Sequence, residues 1–200
     1  MTRTYDTKGL VMFRKRRTAV AVGVIVLAMA AASVAYAETA SVTVTGGSLS
    51  VAAADVTLSE VTLDGADQTA TSASGSNAWS AIDARGSGLG WNLTIDSTDF
   101  SDGGTRSIDV SAADQLFKIQ LLDANVGVTA GNTKPTSSVT TLTAIPEAPA
   151  AALKFASAAV NTGMGSYTLA PNFELMVPAE TFVGAAAYTA TITITAVSAP

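Results

Sequence analysis

Near its end the chain reads Tyr188-Thr189-Ala190-Thr191-Ile192-Thr193-Ile194-Thr195-Ala196-Val197. Apolar residues alternate with threonine through this stretch, and successive side chains on a strand point to opposite faces. The pattern predicts a β-strand with an apolar face, which includes Ile192 and Ile194, and a threonine face. We expect the apolar face to pack on a core and the threonine face to meet solvent or a partner.

The same two-residue period recurs in short segments earlier in the chain. Strands are predicted at 40–45, 49–61, 89–96, 115–122, 137–145, 153–157, 167–169, 173–177 and 187–197. Turns rich in Gly, Asn, Asp and Pro separate them. Residues 69–76 are predicted to form a mobile loop, and 148–159 a short helical turn. This pattern is typical of an all-β chain, folded as a single β-sandwich of short antiparallel strands, either Greek-key (immunoglobulin-like) or jelly-roll-like.

The N-terminal residues have the order of a secretory leader. A basic cluster, Arg14-Lys15-Arg16-Arg17, precedes an uncharged apolar run at 18–32 and the small-x-small pattern Ala35-Tyr36-Ala37. The run is shorter than the roughly 20 residues of a membrane-spanning helix. Residues 1–37 are therefore predicted to be a signal peptide that is cleaved before Glu38, with Met12 as an alternative start. The domain is expected at 38–200, with no membrane anchor after it.

Charge and cysteine content limit the classes of function. After residue 37, five basic and fifteen acidic residues remain, so the net charge falls from −5 to −10. This argues against binding to nucleic acid or to anionic lipid, which both need basic contacts. The chain has no cysteine, which excludes disulfides and a lipid anchor on cysteine. Roughly 160 residues are enough to bury a core without disulfides.

Few residue types that carry chemistry are present. Histidine and cysteine are both absent, so thiol nucleophiles, histidine bases and zinc sites with nitrogen or sulfur ligands are excluded. A carboxylate pair suffices for glycoside hydrolysis, and the densest acids are Asp96, Asp99 and Asp102. Their place at a strand end and its turn favours turn formation, with a weak calcium site as the alternative. We expect no enzyme activity, no cofactor and no other metal.

Two tryptophans are candidates for a core or a contact surface. Trp91 shares a strand face with Leu93 and Ile95, which favours a core position over a stacking platform for sugar. Asn92 points to the opposite face and is a candidate for contact with a glycan or partner. Trp79 follows a Ser- and Gly-rich loop and is the better candidate for an exposed aromatic contact.

Trp91-Asn92-Leu93 and the last thirteen residues together resemble the WxL domain of Gram-positive surface proteins. That family has a Trp-x-Leu motif and a C-terminal motif, Tyr-x-x-x-Leu-Thr-Trp-Thr-Leu-Ser-Asp-Ala-Pro. The positions that match the second motif are Tyr188, Thr193, Thr195, Ala199 and Pro200, with Ile192 at its first Leu. The departures are Ile194 at its Trp, Ala196 at its second Leu, Val197 at its Ser and Ser198 at its Asp.

The resemblance implies a small, secreted cell-surface protein that attaches to the wall without a covalent bond. The ligand implied is peptidoglycan, or a membrane-anchored partner protein that itself binds the wall. If the second Trp of the family contacts glycan, this chain has lost that contact; if it is a core residue, little changes. The alternative from the residues is a structural subunit of a surface fibre or layer, in which the C-terminal strand adds to a neighbour's sheet.

Overall fold

The computed structural model describes residues 40–111 and 116–198. The predicted leader, its cleavage site and Pro200 lie outside the described residues. Residues 43–198 belong to one compact unit, and residues 40–42 belong to a separate N-terminal unit. Among the described residues, no helix is both long enough and apolar enough to cross a membrane.

The described part of the chain is built from strands and one 3-10 turn at Asp123–Asn125. The strands are β1 Leu49–Ala52, β2 Gln68–Thr71, β3 Trp79–Asp83, β4 Trp91–Ser97, β5 Phe100–Ser101, β6 Ser107–Ile108, β7 Phe117–Gln120, β8 Val126–Gly131, β9 Thr136–Ser137, β10 Thr143–Ala144, β11 Leu153–Ala158, β12 Gly165–Leu169, β13 Asn172–Val177 and β14 Ile192–Ser198. The prediction of an all-β chain is confirmed.

The strands form three four-stranded sheets and a short β5–β6 hairpin, and all the strand pairs between them are antiparallel. The β3 sheet has the order β1-β3-β12-β8, the β7 sheet β10-β7-β13-β2, and the β4 sheet β14-β4-β11-β9. Strand β14 is the terminal strand of its sheet. It pairs along its whole length with β4, from Ile192 opposite Ser97 to Ser198 opposite Trp91.

Alternating side chains from all three sheets fill one hydrophobic core. Trp79 of β3 packs against Phe155 of β11 and Phe173 of β13, with ring centroids 6.0 and 5.5 Å apart. Phe117 of β7 stacks on Phe173 at 5.7 Å. Such aromatic pairs add about 0.5–1.5 kcal/mol each to the free energy of burial. The aromatic cluster therefore packs the three sheets against one another.

Several predicted strands have other bounds. Residues 40–45 form no strand, although Val42 and Val44 alternate with threonine; their side chains are 87 % and 85 % exposed. The segment predicted at 49–61 stays in a strand only through Ala52, and that at 137–145 is split into β9 and β10 by a bend. The residues in between keep single backbone contacts, such as the bridge of Leu58 to Ser72 and the hydrogen bond from Ser138 to the carbonyl oxygen of Phe155, but they form no continuous ladder.

Other segments differ from the prediction in their class of secondary structure. Residues 69–76 were expected to be a mobile loop, but Gln68–Thr71 form β2, which pairs with β13. The helical turn expected at 148–159 is wrong, because Leu153–Ala158 form β11 between β4 and β9. Strands β3 and β8 were not predicted, since Ser, Gly and Ala in and around them weaken the strand pattern.

Candidate functional site

The Trp-x-Leu motif lies in the core and not on the surface. Trp91 and Leu93 of β4 are both fully buried, which confirms the core position predicted for Trp91. The indole Nε1 of Trp91 donates a hydrogen bond to the carbonyl oxygen of Gly163 at 2.9 Å. Its ring lies 6.2 Å from that of Tyr167 on β12. The motif thus ties the first residues of β4 to the loop that precedes β12.

That loop fits closely around the indole. Gly163 has a φ of 70°, and a Cβ atom there would lie 2.8 Å from Trp91 Nε1, so only glycine fits. The Tyr167 hydroxyl donates to the carbonyl oxygen of Met164 at 2.8 Å, and burial raises the pKa of this phenol. No local pattern marks Gly163 for this role, because its contact with Trp91 spans 72 positions.

The residue between the two motif positions points away from the core. Asn92 of β4 is half-buried and lies opposite Val197 and Ser157. Directly opposed residues of antiparallel strands share a face. We define the outer face of the β4 sheet by the following residues: Asn92, Thr94 and Asp96 of β4, Thr193, Thr195 and Val197 of β14, and Lys154 and Ser157 of β11.

The outer face is mostly polar, and its two charges are of opposite sign. It carries three threonines, one serine, one asparagine, one valine and a single residue of each charge sign. Hydroxyl groups both donate and accept hydrogen bonds. Thr193 and Thr195 are exposed, whereas Ile192, Ile194 and Ala196 are partly buried against the core. The predicted division of this strand into a threonine face and an apolar face is confirmed.

The end of β14 is fixed by an arginine that the sequence analysis did not single out. Arg85 donates from Nε and Nη2 to the two carboxylate oxygens of the buried Asp83, at 2.9 Å each. Nη2 also donates to the carbonyl oxygen of Gly90 at 3.0 Å, and Nη1 donates to the hydroxyl of Ser198. One guanidinium therefore holds together the ends of β3 and β14 and the residue before β4. The sequence did contain an indication of this ion pair. Asp83 continues the alternation of Trp79 and Ala81 and so falls on the same buried face of the strand, where a charged side chain needs a partner.

The Asp83–Arg85 pair predicts a dependence of stability on pH. Hydrogen bonds from Arg85 hold the pKa of Asp83 below its ordinary value of 3.8. A carboxyl group with a lowered folded pKa stabilises the fold above the unfolded pKa, and this contribution is lost as pH falls through the folded pKa.

Asp83→Asn should lower the free energy of unfolding by about 2 kcal/mol at pH 7. Urea unfolding at pH 7, 5, 4 and 3 should show this difference shrinking below pH 4; a constant difference would contradict it. Ser198→Ala is the control, because it keeps the titrating pair.

Trp79 does not lie at the surface. It is 2 % exposed, and its Nε1 donates to the carbonyl oxygen of Ala54 at 3.0 Å. The expectation of an exposed ring that contacts a glycan or partner is wrong. The loop before it is also held in place, since the buried Asn77 side chain donates to the carbonyl oxygen of Pro171 at 2.8 Å. The Ser- and Gly-rich composition concealed a core strand.

The acids Asp96, Asp99 and Asp102 do not form one site. Asp102 accepts hydrogen bonds from the backbone amides of Gly104 at 2.9 Å and Ala185 at 3.3 Å, and these amides lower its pKa. This is the predicted turn chemistry. Asp96 lies on the outer face, and Asp99 accepts from the amide of Val110 at 2.9 Å. The weak calcium site that these three acids offered as the alternative is therefore not assembled.

Asp99 instead approaches two acids from other segments. The carboxylates of Asp99, Asp109 and Glu147 lie within 4.8 Å of one another. Glu147 is brought there by a bridge to Ser97, the last residue of β4. Exposed groups of acids are common on negatively charged proteins, and the spacing in sequence gave no indication of this one.

An apolar cleft of about 990 Å³ lies between residues 53–63 and residues 181–194. Trp79, Phe117 and Leu175 form its floor, and Ile192 and Ile194 line it from β14. Asp55 and Glu60 are the charged residues in the described lining. Tyr188, the first matched position of the C-terminal motif, also lines the cleft, and its hydroxyl donates to the carbonyl oxygen of Phe182 at 2.8 Å.

The cleft predicts the effect of restoring the aromatic residue that the resembled motif has at position 194. Ile194 is half-buried and lines the cleft, so a larger ring has space there. Ile194→Trp should raise the free energy of unfolding by about 1 kcal/mol by filling the cleft. Urea denaturation of the two proteins checks this value. A lower free energy of unfolding in the variant would mean that the ring does not fit.

The architecture is that of an all-β domain built around a buried Trp-x-Leu motif, with a polar outer face on the motif's own sheet. The model of the family described as WxL domain, surface cell wall-binding, matches residues 37–200, and the chain belongs to this family. The family assignment identifies a cell wall-binding surface domain. No curated protein and no solved structure matched the chain.

Proposed function

We propose that this protein is secreted and attaches to the peptidoglycan of its own cell wall without a covalent bond and without enzymatic activity. The match of residues 37–200 to a surface cell wall-binding family carries the proposal. The matched segment begins one residue before Glu38, the first residue expected after cleavage of the leader. Mass spectrometry of the protein recovered outside the cell tests export, with a chain that begins at Glu38 as the expected product.

The outer face of the β4 sheet is the proposed contact surface. Both tryptophans, Trp79 and Trp91, are buried, as is Leu93. The two indole rings therefore offer no aromatic platform to a sugar ring. The threonine hydroxyls of the outer face can exchange hydrogen bonds with the hydroxyl and amide groups of a glycan. The buried Trp-x-Leu motif then acts indirectly, because it holds β4 in the position that aligns Asn92 and Thr94 with β14.

Co-sedimentation tests the proposed ligand. The secreted protein is mixed with purified peptidoglycan, and separately with the ectodomain of a membrane-anchored wall-binding protein encoded beside it. Sedimentation with peptidoglycan alone supports direct attachment, and capture by the ectodomain alone supports attachment through that partner. Binding to neither at micromolar concentration would contradict the proposal. Release of soluble glycan fragments from the peptidoglycan would contradict the non-enzymatic part.

The proposed architecture is a single β-sandwich over residues 38–200. The inner faces of the β3, β7 and β4 sheets meet through Trp79, Phe155 and Phe173. Two packed layers around one core are the usual solution for antiparallel sheets of this size. In this arrangement the outer face of the β4 sheet is one broad surface of the sandwich.

A second candidate function is a structural subunit of a surface fibre or layer. Strand β14 is the terminal strand of its sheet, with β4 on one side, and such strands can pair with another chain. Light scattering on the secreted protein distinguishes the candidates. Growth of assemblies that is abolished by Ala196→Pro, which removes a backbone donor from the edge of β14 that faces away from β4, would favour the fibre; assembly unaffected by this change would exclude β14 as its edge.

A further inference from the structure

One segment next to the domain has the pattern of a strand without forming one. Residues 40–45 alternate Ala40, Val42 and Val44 with Ser and Thr, the pattern of a half-buried strand. Yet they pair with no described strand, and Val42 and Val44 are among the most exposed large apolar side chains described. Two exposed valines on one face of an extended segment leave apolar surface that a partner could bury.

The cleft is apolar and is bordered by two strand-like walls. In one wall, the backbone amide of Ser59 donates a hydrogen bond to the carbonyl oxygen of Thr71 on β2. In the other, Thr189 exchanges both of its backbone hydrogen bonds with Ser101. Because alternate residues of a strand direct their backbone groups to opposite edges, Leu58 and Ala190 direct theirs away from these partners. Both walls thus have an edge that is not used by the contacts to β2 and β5.

We propose that residues 40–45 of one copy insert as a strand into the cleft of a second copy, with Val42 and Val44 on its floor. A six-residue strand extends about 20 Å, and a volume near 1,000 Å³ is enough for a short peptide. The inserted segment is uncharged, so it approaches Asp55 and Glu60 without like-charge repulsion. Backbone pairing at both edges would supply affinity, and the alternate valines would supply specificity.

The position of the segment favours a second copy over its own. The start of β1 pairs with the end of β3. Just beyond this point, the backbone amide of Gly47 donates a hydrogen bond to the carbonyl oxygen of Ala84. The cleft begins at Ala53, past the other end of β1, about 20 Å away along the strand. To reach the cleft of its own copy, the segment would have to reverse direction and use its whole length to return. Insertion of one segment leaves a free segment on one copy and a free cleft on the other, so further copies can add head-to-tail.

This inference goes beyond wall attachment and rests on the proposed function only for removal of the leader before residue 38. Single-cysteine variants give an unambiguous test, because the chain has no cysteine of its own. Secreted Val44→Cys and Ala190→Cys proteins are mixed and mildly oxidised, and the cross-linked heterodimer is quantified on a non-reducing gel. Thr43→Cys replaces Val44→Cys as the control, since residue 43 lies on the opposite face of the same segment.

The expected result is a heterodimer at least tenfold more abundant with cysteine at 44 than at 43. Light scattering should also show concentration-dependent growth that is lost in Val42→Asp/Val44→Asp and kept in Thr43→Asp/Thr45→Asp. Equal cross-linking at 43 and 44, or a cross-link that forms only within a Val44→Cys/Ala190→Cys double variant, would overturn the proposal. Mass spectrometry of the same samples shows separately whether the leader was removed, and peptidoglycan binding is measured on the non-assembling variant.

Discussion

Trp91→Ala is expected to lower the free energy of unfolding by about 4 kcal/mol. The side chain is fully buried, contacts Tyr167 and donates its indole hydrogen to Gly163. Removing it leaves a large cavity and an unpaired carbonyl oxygen in the core. Because stabilities of 5–15 kcal/mol are usual for domains, this change removes a large share of the total.

Urea unfolding followed by the fluorescence of Trp79 measures the effect. The control is Trp91→Phe, which keeps most of the apolar volume and loses the hydrogen bond, and which should cost about half as much. If Trp91→Ala folds as stably as the wild type but loses wall binding, the indole contacts the ligand directly and the buried position assigned to it is wrong.

Gly165→Ala is expected to cost about 4 kcal/mol or to prevent folding. Gly165 has a φ of 129°, a region that residues with a side chain rarely adopt. A Cβ atom there would lie 2.1 Å from the carbonyl oxygen of Ala130 and 2.5 Å from the Cα of Gly131. These are backbone atoms of β8, so the contact can be relieved only if β8 and β12 separate.

Gly65→Ala separates the two causes. Gly65 also has a positive φ, 88°, but a Cβ atom there meets nothing within 4 Å. Only the backbone strain of about 1–2 kcal/mol should appear. Thermal unfolding of both variants gives the comparison, and equal losses would mean that β8 and β12 do not approach as closely as described.

The sequence predicted well those elements whose side chains alternate and whose neighbours are strands. For β4 and β14 the faces were correct to the residue, because one face of each strand packs on the core. Residues 40–45 have the same alternation and form no strand, since pairing requires a neighbour that the local pattern cannot specify. Trp79 was misplaced for the related reason that a Ser- and Gly-rich segment can still supply a central strand when the strands on both sides fix it.

The candidate site was predictable only in part. The orientation of Asn92 and the threonines followed from the two-residue period. The clamp of Arg85 on Asp83, Gly90 and Ser198 joins residues up to 113 positions apart, and the cleft depends on how two irregular segments cross the core. Both follow from tertiary packing, which no local pattern encodes.

The outer face of the β4 sheet is the proposed surface that binds the wall. Thr94→Val/Thr193→Val/Thr195→Val removes three hydroxyls from this face and keeps the branched shape that strands favour. The matched control, Thr69→Val/Thr71→Val/Thr168→Val, changes three exposed threonines on β2 and β12. Each lost hydrogen bond is worth about 1 kcal/mol.

Co-sedimentation of the secreted variants with purified peptidoglycan over a range of concentrations is the most direct measurement. The outer-face variant should bind at least about tenfold more weakly than the wild type, a change of about 1.4 kcal/mol, while the control variant binds normally and both unfold near the wild-type temperature. Undiminished binding of the folded outer-face variant would contradict the account.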